Sequence, residues 1–238
     1  MRQFGTWLDD ATVLGEGKGW TTIGAGYSRA LFGHQWDAPS VDAGIGLGNH
    51  LQIAVNAPFS RVAYTDGSSL RGLGDAYVVA KIGLVDPEAS GRTFGIALAP
   101  MLEVLSSGSV RVGEKRAYWA LPVMFERRFS GFRVYGTAGY FSRGAAFGSG
   151  ALEVPLTSKV AVTGAVSHTR SVNSDPLSDA RRLSPRRWDI TGSATCALTS
   201  KAILFGSVGR TVSPLDENGS SLALGAGLSL GFERVVRH

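Results

Sequence analysis

The sequence predicts an all-β fold, a transmembrane antiparallel up-and-down β-barrel of about twelve strands. Large apolar residues alternate with small ones over Leu222 to Phe232, which gives an extended strand one oily face. No run approaches the ~18 apolar residues that a membrane helix needs, although only 18% of residues are charged. Short turns also alternate with long loops. Because backbone groups in lipid need internal partners, a membrane chain without such a helix must close into a barrel.

The composition favours one domain. The chain has 238 residues and no Pro/Ser-rich linker that would divide it. Its 32 glycines lie inside apolar alternating runs, and they show no collagen-like period. Cys196 is the single cysteine, which excludes an internal disulfide framework. We therefore expect residues 19–238 to form the barrel, preceded by an N-terminal segment, residues 1–18.

The predicted strands follow one another along the chain after this segment. In order, they are Trp20 to Ala30, Ala38 to Gly48, Leu51 to Ala63, Asp75 to Val85, Arg92 to Leu105, Ala117 to Phe129, Phe132 to Phe141, Phe147 to Leu156, Val160 to Thr169, Arg187 to Leu198, Ala202 to Val212 and Leu222 to Glu233. Each is close to the ~9–11 residues that a tilted strand needs to cross a bilayer. Strands of globular proteins are commonly nearer ~5–6 residues.

The connections between these strands sort by length. The short ones are Asn49-His50, Asp86 to Gly91, Ser130-Gly131, Thr157 to Lys159 and Thr199 to Lys201. The long ones are Leu31 to Asp37, Tyr64 to Gly74, Ser106 to Arg116, Arg170 to Arg186 and Ser213 to Ser221, and Ser142 to Ala146 is a brief exception among them. This alternation predicts short periplasmic turns and longer extracellular loops.

The two-residue period also predicts which side chains face lipid. Expected lipid-facing residues include Ile53, Val55, Phe59, Val78, Ile82, Leu84, Phe94, Leu102, Trp119, Leu121, Val123, Phe125 and Ile190. Aromatic residues gather near strand ends, as in interfacial girdles, at Trp20, Tyr27, Trp36, Tyr64, Trp119, Phe129, Phe132, Trp188 and Phe232. The strand from Ala202 to Val212 does not resolve into two faces.

One region resembles a known family. The run LGNHLQIAVNAPF from Leu47 to Phe59 is followed by Gly72-Leu73-Gly74-Asp75, by Lys81 and by Pro100 in the next strand. In these features the chain resembles the outer-membrane β-barrels of the meta-pathway of phenol degradation family. The resemblance implies an uptake channel, of a kind often encoded near enzymes of aromatic degradation, and it carries no site residues over.

Charged and polar residues inside the predicted strands are the candidate pore-lining residues, because charges are costly in lipid and so point inward. They are Asp42, Gln52, Asn56, Asp75, Lys81, Glu103, Glu126, Arg128, Arg133, Asp189 and Glu233. Two roles remain open for them. Paired charges can brace the wall, or they can set a preference among solutes.

The inward glycines of the last, first and second strands predict a bare wall, since the last strand of a closed barrel pairs with the first. The residues are Gly24, Gly26, Gly44, Gly46, Gly225 and Gly227. A bare wall permits sharp curvature, close approach of another backbone, or an open solute lane. We expect the N-terminal segment, which has no strand pattern, to lie at least partly in the lumen against this wall as a small plug.

The sequence gives little support for catalysis. The histidines His34, His50, His168 and His238 are too scattered for a local metal motif. Ser167 and His168 are adjacent, so they point to opposite strand faces and cannot work as nucleophile and base on one face. We therefore expect neither an enzymatic reaction nor a cofactor.

An arginine-rich loop supplies much of the net charge of +5 through Arg170, Arg181, Arg182, Arg186 and Arg187. In a long outer loop these groups suit phosphorylated lipopolysaccharide or anionic solutes better than nucleic acid. A merely solvated loop remains an alternative for this segment.

The function predicted from these patterns is passive uptake of small solutes, aromatic or anionic, through a narrow charged lumen of a bacterial outer-membrane channel. We expect the barrel to be monomeric and to contact membrane lipid and lipopolysaccharide. Two alternatives stay open: a structural or adhesive barrel with a filled lumen, and an outer-membrane lipid-modifying hydrolase.

Overall fold

The computed structural model describes residues 8–85, 87, 91–105, 115–173, 184–213 and 219–233. The strands in these residues are β1 (Lys18–Ala30), β2 (Gly33–Gly46), β3 (Leu51–Tyr64), β4 (Ser69–Leu73), β5 (Ala76–Val85), β6 (Phe94–Leu98), β7 (Met101–Val104), β8 (Ala117–Arg128), β9 (Arg133–Phe141), β10 (Ala145–Pro155), β11 (Val160–Ser171), β12 (Arg186–Thr199), β13 (Ala202–Ser213) and β14 (Ser220–Glu233). None of the α-helical structure in these residues has the length and apolar character to cross a membrane.

The strands form one closed antiparallel barrel. Strands that follow one another along the chain pair with each other, except β4 with β5 and β6 with β7, and β14 returns to pair with β1, where Gly227 lies opposite Gly24. β3 pairs with both β4 and β5, and β8 pairs with both β6 and β7. These two pairs of segments are therefore interrupted single strands, and the 14 described segments make the predicted barrel of twelve strands.

Proline and glycine explain the two interruptions. Between β6 and β7, Pro100 has no N–H to donate to the ladder, while its carbonyl accepts a bond of 3.0 Å from Ala80. Between β4 and β5, the N–H of Gly74 donates instead to the carbonyl of Pro58 at 2.8 Å. The predicted strand from Asp75 to Val85 matches β5, whereas the predicted strand from Arg92 to Leu105 is continuous where the structure breaks it into β6 and β7.

The first predicted loop, Leu31 to Asp37, is wrong. β2 begins at Gly33, so only Leu31 and Phe32 connect it to β1. The residues at the start of β2 are polar, which hid the strand period, but they still alternate. Asp37 lies inward and accepts bonds from Gln35 and Ser60, while Trp36 lies outward beside Tyr27 with ring centroids 4.5 Å apart.

The second predicted loop, Tyr64 to Gly74, is largely strand, because β4 extends the hairpin beyond β3. Asp66 stabilises its tight turn by accepting bonds from the hydroxyl of Ser68 at 2.6 Å and from its N–H at 2.8 Å, which lower the pKa of Asp66. The predicted loops Ser106 to Arg116, Arg170 to Arg186 and Ser213 to Ser221, and the turn Asp86 to Gly91, lie mostly outside the described residues.

The outer surface is an apolar belt, as the strand period predicts. Large hydrophobic side chains are exposed there on every side of the barrel, for example Val55, Val78, Leu84, Leu102, Val123, Ile190 and Leu224. Exposed apolar patches of this extent are rare on soluble monomers and are typical of a lipid-facing surface. The barrel therefore has its lipid side outward and its polar side inward.

Two aromatic residues predicted in the girdles lie inside instead. Trp20 pairs in register with Gly44, and its indole N–H donates to Asp42 at 2.8 Å. Tyr64 pairs with Gly33, which lies on the same face of β2 as the inward Asp37, four residues further along. An indole N–H away from bulk water needs a polar partner, and Asp42 supplies one on the lumen side. Trp36, Trp119, Trp188 and Phe232 are exposed outward as predicted.

Candidate functional site in the barrel lumen

The lumen contains one dense group of charges, which we call the lumen charge cluster. Its members are Asp9 and Asp10 of the N-terminal segment, Lys81 of β5, Glu126 and Arg128 of β8, Arg133 of β9 and Glu153 of β10. Four of the predicted pore-lining residues, Lys81, Glu126, Arg128 and Arg133, thus meet in one place. They come from β5, β8 and β9, with β6 and β7 between β5 and β8, and they lie near the end of the barrel that carries the short turns.

Lys81 joins β5 to the N-terminal segment. Its ammonium lies 2.8 Å from an oxygen of Asp9 and 3.5 Å from one of Asp10, and it donates to the carbonyl of Thr12 at 3.0 Å. The Lys81 side chain is only 4% exposed. A buried ammonium is costly without opposite charge, so these contacts are what make an inward lysine tolerable here.

Arg133 donates hydrogen bonds to two carboxylates of the cluster, those of Glu153 and Asp10. Its guanidinium donates two bonds to Glu153, from Nε at 2.7 Å and from Nη2 at 2.9 Å. This bidentate pair fixes the plane of the guanidinium and leaves Nη1 to bind Asp10 at 2.8 Å. The guanidinium carbon also lies 4.8 Å from the ring centre of Tyr135.

Glu126 is buried and is balanced by two arginines. Arg128 donates from Nε to its Oε1 at 2.6 Å, and Nη1 of Arg133 lies 3.6 Å from the same oxygen. The second oxygen, Oε2, accepts from the hydroxyl of Thr12 at 3.0 Å, and Nη2 of Arg128 donates to that hydroxyl at 3.0 Å. The segment therefore completes the hydrogen bonding of a wall carboxylate.

The N-terminal segment also packs by apolar contact. Ala11 is fully buried against Ala97, Ala99 and Met124, which are inward residues of the wall. Val13 is buried too, and a Cβ built at Gly83 would lie 3.0 Å from its Cγ2. Since Ala11 and Val13 alternate with the polar Asp10 and Thr12, both faces of the segment are matched to the lumen.

The segment leaves this region along β3 and β2. Leu14 donates its N–H to the side-chain oxygen of Gln52 at 3.0 Å, and Gly17 donates to the carbonyl of Gly46 at 3.1 Å. A Cβ at Gly46 would overlap the carbonyl of Gly15. Gly46 is therefore a point of close backbone approach, which is one of the three roles predicted for the glycine wall. Most contacts of the segment are instead with the lumen charge cluster on the other side of the barrel.

The glycines of β1 and β14 lie side by side as the pairing rule requires. Gly24 is opposite Gly227, and Gly26 is opposite Gly225. The space beside them is partly filled, because a Cβ at Gly227 would lie 2.6 Å from the ring of Phe205. The inward position of Phe205 also explains why the two faces of β13 were not separable in the sequence.

The third strand of the predicted glycine wall is not bare. Gly44 pairs with Trp20 of β1 instead of with another glycine, and a Cβ at Gly44 would overlap the Trp20 ring. Gly44 thus makes room for an inward tryptophan that Asp42 holds by its indole N–H. Aromatic rings therefore occupy part of the lane that the sequence left open.

A second charged group lies toward the end of the barrel that carries the longer loops. Glu103 of β7 is buried, accepts a bond from the hydroxyl of Tyr77, and has Nη1 of Arg143 at 3.8 Å. Asp75 lies between β4 and β5, near enough to Glu103 to interact with it electrostatically. These residues are separate from the lumen charge cluster.

A third group is built on β12 and β13. Arg187 donates from Nε to Asp189 at 2.8 Å, and Asp189 accepts from the hydroxyl of Thr211 at 2.6 Å. Arg187 does not belong to the arginine-rich loop, because it is a buried residue of β12 that pairs its charge with Asp189, in agreement with the predicted strand from Arg187 to Leu198. Arg181 and Arg182 lie outside the described residues.

The other two candidates differ in position. Asn56 of β3 lies at the level of Asp42 and Tyr77 and donates to the carbonyl of Val41 at 3.4 Å. Glu233 ends β14 and is 62% exposed, with Lys18 at 3.7 Å. Glu233 is therefore at the rim of the barrel, whereas Asn56 is on its inner face.

Ser167 and His168 face opposite sides of β11. Ser167 is buried opposite the inward Asp189, whereas His168 packs outside on Trp188 with ring centroids 4.2 Å apart. The described part of the chain holds no group of three or more metal-binding side chains.

Several residues of the site were not foreseen. Asp9 and Asp10 lie in a segment without strand period, so the sequence offers no signal for where they bind. Glu153 could have been found, because it follows the same inward parity as its cross-strand partner Arg133. Phe205 is a large apolar residue that faces the lumen, so it is an exception to the rule that large apolar side chains of the strands face lipid.

The fold is shared with solved bacterial outer-membrane channels. The chain aligns with an outer-membrane channel of Pseudomonas putida F1 at a TM-score of 0.66 and 14% identity, over 94% of this chain and 98% of that one. It aligns with the NanC porin at 0.64 and 9% identity, over 88% and 98%. The CymD monoaromatic hydrocarbon channel aligns at 0.51 and 7% identity, over 94% and 90%.

No family model matches the chain, and no curated protein matches it in sequence. At these identities the structural likeness defines the fold, which is that of the outer-membrane barrels. Together with the apolar outer belt, this fold places the protein in a bacterial outer membrane, among lipids.

Proposed function

We propose that the protein is an outer-membrane channel through which small solutes diffuse passively along a narrow charged lumen, with no covalent step. One observation carries the proposal: the wall is apolar outside, whereas buried charges from separate strands converge inside. A barrel whose only task was to sit in the membrane would gain nothing from this arrangement, because buried ion pairs contribute little net stability. The resemblance of residues 47–105 to the meta-pathway of phenol degradation family supports the same function.

We propose further that residues 1–18 act as a small plug and that residues 19–238 form the barrel proper. A twelve-stranded barrel is intermediate between filled barrels of ~8 strands and open porins of ~16–18 strands. Residues 9–17 bind inward groups of β2, β3, β5, β8 and β9. A segment of this length inside so narrow a lumen reduces the cross-section that is open to solutes.

The preferred solutes are small aromatic or anionic compounds. The wall supplies Lys81, Arg128 and Arg133 as cations, and the inward rings of Trp20 and Phe205 offer aromatic faces on the opposite side. An aromatic ring stacks on such faces, while a carboxylate binds guanidinium and ammonium groups. The structural likeness to a channel named for monoaromatic hydrocarbons is consistent with this class.

We propose lipopolysaccharide as the outer-leaflet partner of a monomeric barrel. Arg170 and Arg186 lie directly opposite each other on β11 and β12, one residue pair beyond the level of Arg187 and on the outward side shared with Trp188. Like charges side by side on a sheet repel each other. A phosphate group of a surrounding lipid would relieve this repulsion through charge-assisted bonds to both guanidinium groups.

The test is solute flux into proteoliposomes that contain the full chain. Swelling in isosmotic benzoate and in small neutral solutes should exceed that of protein-free vesicles, and the reversal potential across a planar bilayer in a salt gradient gives the sign of ion selectivity. An adhesive or structural barrel with a filled lumen predicts no swelling with any solute. Gel electrophoresis of heated and unheated samples shows whether the barrel is folded. An absence of swelling with folded barrel would refute the channel.

A further inference from the structure

We propose that Lys81 and Arg133 together form a binding site for the carboxylate group of a solute, and that Asp10 occupies this site in the resting barrel. The inference rests on the proposed channel function and adds a solute class and a means of opening. The Asp10 carboxylate takes the place of the group that a permeating carboxylic acid would present.

The geometry around Asp10 is that of a carboxylate site. Its two oxygens are bound by cations from different strands, Oδ1 at 3.5 Å from Nζ of Lys81 and Oδ2 at 2.8 Å from Nη1 of Arg133. Both cations are held before any solute arrives. Glu153 fixes the guanidinium plane by two bonds, and the Lys81 stem is buried in the wall. Preorganised donors lower the entropic cost of binding an anion.

The occupant belongs to a different part of the chain from its site. Asp10 lies in the segment before β1, whereas Lys81 and Arg133 belong to strands of the closed barrel. In the part of the chain that the structure describes, the only carboxylates paired with Lys81 are Asp9 and Asp10. When the segment withdraws, Lys81 loses every anionic partner described here.

Withdrawal also changes the charge of the cluster. The wall alone contributes three cations, Lys81, Arg128 and Arg133, against two carboxylates, Glu126 and Glu153. The segment adds two carboxylates and so makes the cluster net acidic, whereas the vacated wall is net basic. A free carboxylate therefore binds only where the segment has left, and each occupant lowers the apparent affinity of the other by the same factor.

This competition predicts that carboxylate solutes release the segment. The probe is the reactivity of a thiol placed in the segment, Val13→Cys, in a Cys196→Ala background, because Val13 is buried in the lumen at 4% exposure. Refolded full-length barrel is treated with a water-soluble maleimide, with and without benzoate. At a benzoate concentration ten times its Kd, the labelling rate should rise about tenfold.

Three controls isolate the carboxylate. Benzamide has the shape of benzoate without its charge and should leave the rate unchanged, as should sodium chloride at matched ionic strength. Lys81→Met should label quickly without any addition and should respond to benzoate several-fold less. Lys159→Met, which removes an exposed lysine from the short turn between β10 and β11, should respond like the parent barrel.

The outcomes separate this site from the channel itself. An equal effect of benzamide or of salt, an unchanged benzoate response in Lys81→Met, or no response in a second thiol variant, Leu14→Cys, would overturn the site. The labelling rate reports release of the segment and does not depend on whether the barrel conducts solutes. A barrel that releases its segment with benzoate but passes no solute would keep the site and refute the channel, and a conducting barrel with no benzoate response would do the reverse.

Discussion

Lys81→Met is the change that tests most sharply how the N-terminal segment is held. Methionine keeps the unbranched apolar stem, so the packing of the side chain in the wall is nearly preserved. The ammonium is lost, and with it the contacts to Asp9, Asp10 and the carbonyl of Thr12. The segment should therefore leave the lumen more often, while the strands of the barrel stay paired.

The size of the effect follows from the three contacts. The charged bond to the Thr12 carbonyl contributes about 1.5 kcal/mol. The Asp9 side chain is 53% exposed, so its ion pair contributes at most about 1 kcal/mol. The more distant Asp10 contact contributes less. Removing the ammonium also removes the free-energy cost of burying it, which offsets part of the stabilisation lost with the three contacts. A net loss of about 1–2.5 kcal/mol raises the released population roughly 5- to 70-fold.

Hydrogen–deuterium exchange of residues 9–17 measures this population directly, since their amides exchange when the segment opens. The N–H groups of Leu14 and Gly17 are the reporters, because they are bonded to Gln52 and Gly46. Their exchange should speed up by the stated factor in Lys81→Met and stay unchanged in Lys159→Met. Exchange that is the same in Lys81→Met and the parent barrel would refute the anchoring role of Lys81.

Three further predictions test the wall. Val123→Arg places a charge on the lipid face and should destabilise the barrel by about 2–4 kcal/mol in urea-driven unfolding from liposomes; an unchanged midpoint would contradict the lipid-facing assignment. Phe205→Ala removes the ring beside Gly227 and should increase single-channel conductance, and a lower or equal conductance would argue against the ring as a constriction. The double change Arg170→Ala with Arg186→Ala should weaken lipopolysaccharide retention during purification several-fold, and full retention would exclude this pair as the phosphate site.

The lipid-facing side of the fold was predictable because lipid enforces a simple rule. Every second residue of a strand must be apolar outside, so Leu222 to Phe232 shows its faces directly, and the inward position of Lys81 and Glu126 follows from the same parity. The rule weakens beyond the membrane. The start of β2 is rich in polar residues and has Trp36 as its one large apolar residue, and the sequence therefore predicted a loop where the structure has strand.

The inside of the barrel was less predictable, since no single rule governs a lumen. Trp20 and Phe205 face inward because glycines opposite them leave room, and this depends on the register between strands. The ion pairs of Asp9 and Asp10 join residues far apart in the chain. Neither register nor such distant pairing leaves a period in the sequence, so the charges could be assigned to the lumen but not to their partners.

The central claim is that the barrel is a conduit whose opening is limited by its N-terminal segment. Single-channel conductance in planar bilayers, compared between the full chain and a chain that lacks residues 2–17, tests it most directly. The full chain should give small or intermittent currents, and the shortened one should give larger, steady currents. Shortened barrels that are folded, inserted and electrically silent would contradict it.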